Sequence, residues 1–320
     1  MTKNYFENSP SLFIQTGEDK SQMFGMNFAR DVRHFVLRGT GGCGLMSEKD
    51  AVGMRNLRLA LSGQSDDGTV HPRFSGFCLF GGTRMLRKDD PTTIIPGITE
   101  VFPAISKHCP DAALLGVIVK AGHLKYTPFG VVVHDEPQNE YVTIVHPTQT
   151  SSVILQPSSD SVASWDDEWK ECVRICDSLR EAHWGGLLLV YNGGGVTNRE
   201  VRTWAKLGER DPFWQVLIVK GSGRVADEFA NDAEFLEEHR DTVHVCDNNV
   251  EDMREKLAAL GAITLPNSVR ASSEGPQTIE NTEPQTIENT AQTIENTEPQ
   301  TIENTAQTIE NAEPPANDNE

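Results

Sequence analysis

The 320-residue chain lacks any long apolar run. No stretch approaches the roughly 20 residues that a transmembrane helix needs. Direct membrane insertion through such a helix is therefore not expected. Met1–Ser9 is polar and lacks the apolar segment of a secretory signal. The six cysteines are Cys43, Cys78, Cys109, Cys172, Cys176 and Cys246, with no C-x2-C…C-x2-C spacing. That excludes the common structural zinc patterns. Cys172 and Cys176 stand one helical turn apart, and packing explains them more simply than metal or redox chemistry. These absences read as a reduced, cytoplasmic protein without a metal site or resident cofactor.

Cationic residues are also missing from one end. No Lys or Arg occurs from Ala271 onward, while 11 carboxylates do. The net charge of −19 thus leaves only −8 for everything before that point. A mildly acidic body argues against nucleic acid as a partner. The acidic end repeats Gln-Thr-Ile-Glu-Asn from Gln277, Gln285, Gln292, Gln300 and Gln307. One isoleucine per repeat builds neither a core nor a coiled-coil seam. Residues 271–320 are expected to form a disordered acidic tail, solubilising or partner-binding.

What is present is an α/β signal, centred on Gly186–Ala230. Two apolar runs, Leu187–Tyr191 and Val216–Val219, read as strands buried on both faces. Each runs into a glycine turn, Asn192-Gly193-Gly194-Gly195 and Gly221-Ser222-Gly223. Each turn opens onto a segment of helical periodicity. Strand, glycine loop and helix written twice imply a Rossmann-like parallel sheet flanked by helices. Ligands bind at the carboxyl ends of such strands. Glycine permits close approach, and the following helix presents free N–H groups and the positive end of its dipole.

The remaining elements place this unit in a domain spanning 71–265. Phe74–Phe80 reads as a strand ending in a third glycine turn, Gly81-Gly82-Thr83-Arg84. Met85–Pro96 reads as a polar flap, and Ile98–Lys107 as a helix adapted to Pro103. Ala113–Val119 is a second buried strand. Phe129–Val133, Tyr141–Val145 and Ser152–Leu155 suggest a small antiparallel excursion. Ser161–His183 carries one apolar helical stripe, with Ser164 at its start. Thr242–Cys246 and Val250–Leu260 close the domain as strand and helix. Residues 1–70 form an N-terminal extension with no clear pattern. Within it, Phe24–Arg38 and Ala51–Leu61 are expected to be helices, joined by a flexible Gly39–Gly44 connector.

Several polar residues near the turns have two readings. Thr197 and Glu200 fit a helix capping box, or ligand contact. Ser222 fits a helix cap, and Asp227 fits the dipole of the first turn. Arg224 opposes that dipole, so a bound phosphate would explain it better. His123, His134 and His146 have no metal spacing and read as surface or core residues.

Val219-Lys220-Gly221-Ser222-Gly223-Arg224-Val225-Ala226-Asp227 resembles a stretch in the N-terminal domain of melastatin-type TRP channels. Phe77–Arg84 and Leu188–Gly195 agree with it. Together they look like prokaryotic relatives of that domain in the SLOG superfamily (LSDAT-like). That resemblance implies a Rossmann-like fold and a nucleotide-derived ligand, NAD-derived or ADP-ribose-like. It also implies sensing in bacterial conflict systems, with a separate effector protein and a possible homo-oligomer. The ligand-binding residues would be Gly81, Gly82, Thr83, Arg84, Asn192, Gly193, Gly194, Gly195, Thr197, Gly221, Ser222, Gly223, Arg224 and Asp227.

Asn192–Glu200 also resembles the P-G-G-x-G-T-x-x-E motif of the Lonely Guy phosphoribohydrolases. It keeps two glycines, Thr197 and Glu200, and departs at Asn192 and Val196. This distant likeness implies an alternative, a nucleotide N-glycosidase acting through Glu200. Such enzymes use an upstream arginine, for which Arg84 is a candidate.

Overall fold

The computed structural model describes residues 11–15, 34–42, 48–65, 68–119, 125–128, 130–148, 151–156 and 165–265. All belong to one compact unit, Met1–Gly275. The repeat tail, residues 24–33 and 43–44 of the expected helix and connector, His123 and residues 161–164 lie outside the described residues.

The chain is mixed α/β, built on an eight-stranded sheet. Its strands are β1 (Ser11–Gln15), β2 (Phe35–Gly41), β4 (Gly76–Phe80), β7 (Ala112–Val119), β11 (Ser151–Gln156), β12 (Gly185–Tyr191), β13 (Trp214–Lys220) and β14 (Val243–Asp247). The order is β1-β11-β7-β4-β2-β12-β13-β14, and every pair is parallel. Crossover helices explain the parallel pairing and cover both faces. On one face lie α3 (Trp165–Glu181), α4 (Gly195–Arg210) and α5 (Arg224–Asn231). The short α6 (Ala233–Glu238) follows α5 there. On the other lie α1 (Glu48–Ser62), α2 (Val101–Ser106) and α7 (Val250–Ala259), with a short antiparallel pair, β3 (Arg73–Phe74) and β15 (Ile263–Thr264).

Side-chain alternation divides the two cores. In β12, Leu188 and Val190 pack with Trp204 and Ala205 of α4. Leu187, Leu189 and Tyr191 pack with Met54 and Leu57 of α1. All of these are buried, and each large apolar side chain contributes about 1.5–3 kcal/mol of transfer free energy. In α3, Cys172 and Cys176 face the first core and are fully buried. Burial pushes both thiols up, so they act as small apolar groups.

A second, antiparallel sheet stands beside the first, in the order β6-β5-β10-β9-β8. Its strands are β5 (Thr83–Arg87), β6 (Ile94–Ile95), β8 (Lys125–Thr127), β9 (Gly130–His134) and β10 (Tyr141–Val145). This is the β excursion expected from the sequence, with two corrections. Met85–Pro96 is no flap: Thr83–Arg87 and Ile94–Ile95 pair as a hairpin. Asp90 accepts from Thr92 N and from the Thr92 and Thr93 hydroxyls, organising the turn between these strands. Ser152–Leu155, expected in the excursion, instead joins the main sheet between β1 and β7.

The largest correction concerns the N-terminal region. Phe35–Arg38 is strand, not helix, and Gly39–Gly41 continues it rather than forming a connector. This β2 lies at the middle of the sheet, between β4 and β12. Its apolar run is only three residues before Arg38, too short to stand out. Gly39 has a packing reason instead: a Cβ there would lie 2.1 Å from the Phe102 ring.

Candidate ligand cavity

Sequence order reverses across the β2–β12 pair. Strands β4, β7 and β11 extend to one side, and β13 and β14 to the other. An open α/β sheet leaves a crevice at such a point, outside the carboxyl ends of its strands. A cavity of about 350 Å³ lies there. The end of β2 lines it with Arg38 to Gly42, the turn after β4 with Gly81, the start of β5 with Thr83, and the start of α4 with Gly194 to Thr197 and Glu200. Arg224 reaches it from beyond β13, Glu168 from α3, and Met85, His134 and Tyr141 from the second sheet.

The α4 end of the cavity is rich in donors. Asn198 N makes the first i→i−4 bond of the helix, to Gly194 O at 2.9 Å. The N–H groups of Gly195, Val196 and Thr197 therefore have no intrahelical acceptor. The loop before them is fixed by backbone conformation. Asn192 has φ +60° and Gly193 φ +102°. A Cβ on Gly193 would also meet Thr197 at 2.6 Å, so that position requires glycine. Arg224 sits next to Gly194, where an added Cβ would lie 2.7 Å from Nη2. The guanidinium is exposed, and no acceptor pairs with it among the described residues. Arg224 itself has φ +48°, an uncommon backbone region for a non-glycine residue.

The floor holds a buried charge cluster that the sequence reading missed. Arg38 Nε donates to Glu200 Oε1 at 2.8 Å, and Nη2 to Glu200 Oε2 at 3.4 Å. Nη2 also donates to Glu168 Oε1 at 3.2 Å. Arg38 Nη1 is buried without a partner among the described residues. Glu200 is fully buried, whereas Glu168 is 13% exposed. Burial raises the Glu168 carboxyl above its usual range, with Arg38 pulling it back. Arg38 stood in a segment read as helix, so no sequence pattern aimed it at Glu200.

Several readings change with this geometry. Thr197 and Glu200 form no capping box. Gly194 is the N-cap of α4, so both residues lie inside the helix. The Thr197 hydroxyl faces that of Thr40 at 3.4 Å, and Glu200 turns to Arg38. Arg84 is not the arginine beside Glu200. It makes a two-pronged pair with Glu100 at 2.9 and 2.8 Å and touches His146 at 3.0 Å. Ser222 does not cap α5, whose N-cap is Gly223. Its hydroxyl donates to Val219 O and accepts from Asn192 N at 2.8 Å. His134, read as a surface or core residue, stands on the cavity wall.

Of the expected site residues, Gly81, Thr83, Gly194, Gly195, Thr197, Glu200 and Arg224 come together around the cavity. Gly82, Arg84, Asn192, Gly193, Gly221, Ser222, Gly223 and Asp227 are not among the lining residues. Asn192 and Ser222 staple the two loops, Asn192 Nδ2 donating to Ser222 O, while Gly221 N donates to Asp227 Oδ1 within the second loop. Ala226 N, in the first turn of α5, is already used by Asn192 O.

No protein-family model matches the chain, and no curated protein matches it. Among solved structures it is similar to a molybdenum cofactor binding protein from the phototrophic bacterium Rippkaea orientalis. The identity is 12%, over 70% of this chain and 96% of that one, with a TM-score of 0.38. Among the described residues, no helix is long and apolar enough to cross a membrane.

Proposed function

We propose that this chain is a ligand-sensor domain that binds a nucleotide-derived signal in the β2–β12 cavity and passes it to a separate effector. One observation carries this reading: three α4 amides with no acceptor among the described residues and the exposed Arg224 guanidinium meet at one end of the same cavity. Amides at a helix N-terminus and a guanidinium are the groups that hold phosphate. The sequence motifs at Gly193–Thr197 and Gly221–Arg224 point the same way, towards an NAD-derived or ADP-ribose-like ligand in a SLOG-type domain. A cavity of about 350 Å³ sits at the small end of the roughly 300–1,000 Å³ usual for ligand sites.

The second reading is an N-glycosidase using Glu200. Its support is that Glu200 lines the cavity. Against it, both Glu200 oxygens are engaged by Arg38 and the residue is fully buried. A carboxylate held in this way is poorly placed to leave its partner for a sugar.

Thermal unfolding of the full chain with NAD, ADP-ribose, cyclic ADP-ribose, AMP and ATP tests both. A ligand at 100 times its dissociation constant adds about 2.7 kcal/mol of stability. A shift with ligand recovered intact by chromatography supports the sensor. Release of free base supports the glycosidase. No shift with any of the five counts against the nucleotide reading.

A further inference from the structure

The charge cluster under the cavity has an asymmetry that the binding of phosphate does not use. Two carboxylates share one guanidinium. Glu200 takes the Nε contact at 2.8 Å and a share of Nη2, both its oxygens are engaged, and its side chain is fully buried. Glu168 takes one contact at 3.2 Å, and its side chain is partly exposed and lines the cavity. An ionised carboxylate has about four acceptor positions, so Glu168 retains unused ones. Arg38 is its only donor among the described side chains.

The surroundings leave room at that spot. Gly81 lines the cavity against Glu168, and a Cβ there would lie 3.2 Å from Oε1 and 3.4 Å from Oε2. With glycine, a ligand atom can approach. The donors a ligand brings must also suit the neighbours. Arg224 at the α4 end disfavours a cationic amine. Hydroxyl groups are neutral donors and carry no such penalty. The cavity is thus bipolar, with N–H groups and Arg224 beside Gly194 and an acceptor carboxylate beside Gly81.

We infer that Glu168 reads the ribose hydroxyls of the ligand and selects a ribonucleotide over its 2′-deoxy counterpart. This assignment rests on the nucleotide reading of the cavity. Glu168 accepts a hydrogen bond from the 2′-hydroxyl while the phosphate lies towards Arg224. Removal of that hydroxyl leaves a partly desolvated carboxylate short of a donor, which the site penalises.

Calorimetric titration of the full chain with AMP, ADP-ribose and the 2′-deoxy counterpart of each tests the assignment. A hydrogen bond to a charged group is worth about 1.5–3 kcal/mol, so the ribo form should bind about 10- to 100-fold tighter. Glu168→Gln should shrink that ratio, and Glu168→Ala should bring it near one by weakening the ribo ligand and relieving the penalty on the deoxy ligand. A fall of both affinities together, with the ratio kept, overturns the assignment. Equal binding of ribo and deoxy forms by the unmodified chain overturns the assignment and leaves the nucleotide reading standing. Failure of AMP and ADP-ribose to bind overturns both.

Discussion

Arg38 Nε lies 2.8 Å from Glu200 Oε1, across 162 residues of sequence. The bond ties the middle strand β2 to helix α4 directly below the cavity. The guanidinium is 4% exposed and the carboxylate not at all. Neither charge is tolerable there alone, because desolvation of an unpaired ion costs several kcal/mol.

Arg38→Met should therefore destabilise the fold by about 3–5 kcal/mol at neutral pH, since it strands two carboxylates. The deficit should shrink towards pH 5. Without the cation, the folded carboxyls hold protons more tightly than in the unfolded chain, so acid favours the folded variant. Chemical denaturation at pH 7.5 and pH 5 measures this. A loss that is small, or equal at both pH values, would show that the cluster is already neutral in the folded chain.

Gly39→Ala tests the close approach of β2 to α2. The added methyl would meet the Phe102 ring, which is completely buried. Overpacking of this kind costs about 1–3 kcal/mol. Addition of Phe102→Leu should recover part of the loss, a non-additivity visible in a double-mutant cycle of denaturation midpoints. Simple additivity of the two losses would rule out this contact as the cause.

Ser222→Ala should separate scaffold from lining. The hydroxyl bonds Val219 O and Asn192 N, and the residue is 1% exposed. The substitution leaves the Asn192 N–H short of an acceptor, a cost of about 1–3 kcal/mol. Ligand affinity should change little, because Ser222 is not on the cavity wall. A large drop in affinity with unchanged stability would place Ser222 against the ligand after all.

His146 gives a pH dependence of known sign. It is buried between Arg84, Glu100, Thr148 N and the Phe80 ring. Burial holds its pKa below the usual value, Glu100 opposing and Arg84 adding. The unfolded chain then takes up a proton first, near about pH 6.5. Stability falls as pH drops through that value towards the lower folded pKa. The melting temperature should fall more from pH 7.5 to pH 5.5 in the unmodified chain than in His146→Gln. The raised Glu168 pKa acts in the opposite direction but equally in both proteins. Parallel pH curves would show that His146 does not titrate in this window.

The strands read best from sequence were those buried on both faces with unbroken apolar runs, such as Leu187–Tyr191 and Val216–Val219. Their glycine turns were equally legible, because positive φ and helix starts demand particular residues. Strand β2 was not. Its pattern is broken by Arg38 and three small residues, each explained only by a distant partner: Glu200, Phe102 and the cavity itself. The same long-range pairing hid the charge cluster, since Arg38 and Glu168 approach Glu200 from separate elements. Thr197 and Glu200 show the converse. Their spacing satisfies a local capping rule, but Gly194 starts the helix earlier and frees both side chains for tertiary contacts.

The most direct test of a phosphate-holding cavity is titration calorimetry of AMP and ADP-ribose into the full chain and into Arg224→Ala. Arg224 is exposed and without a partner among the described residues, so its removal should leave the melting temperature unchanged. The account predicts saturable binding at one site in the unmodified chain and affinity at least about 10-fold weaker in the variant, the loss of one charge-assisted contact. Binding of equal strength in both proteins, or none in either, would contradict it.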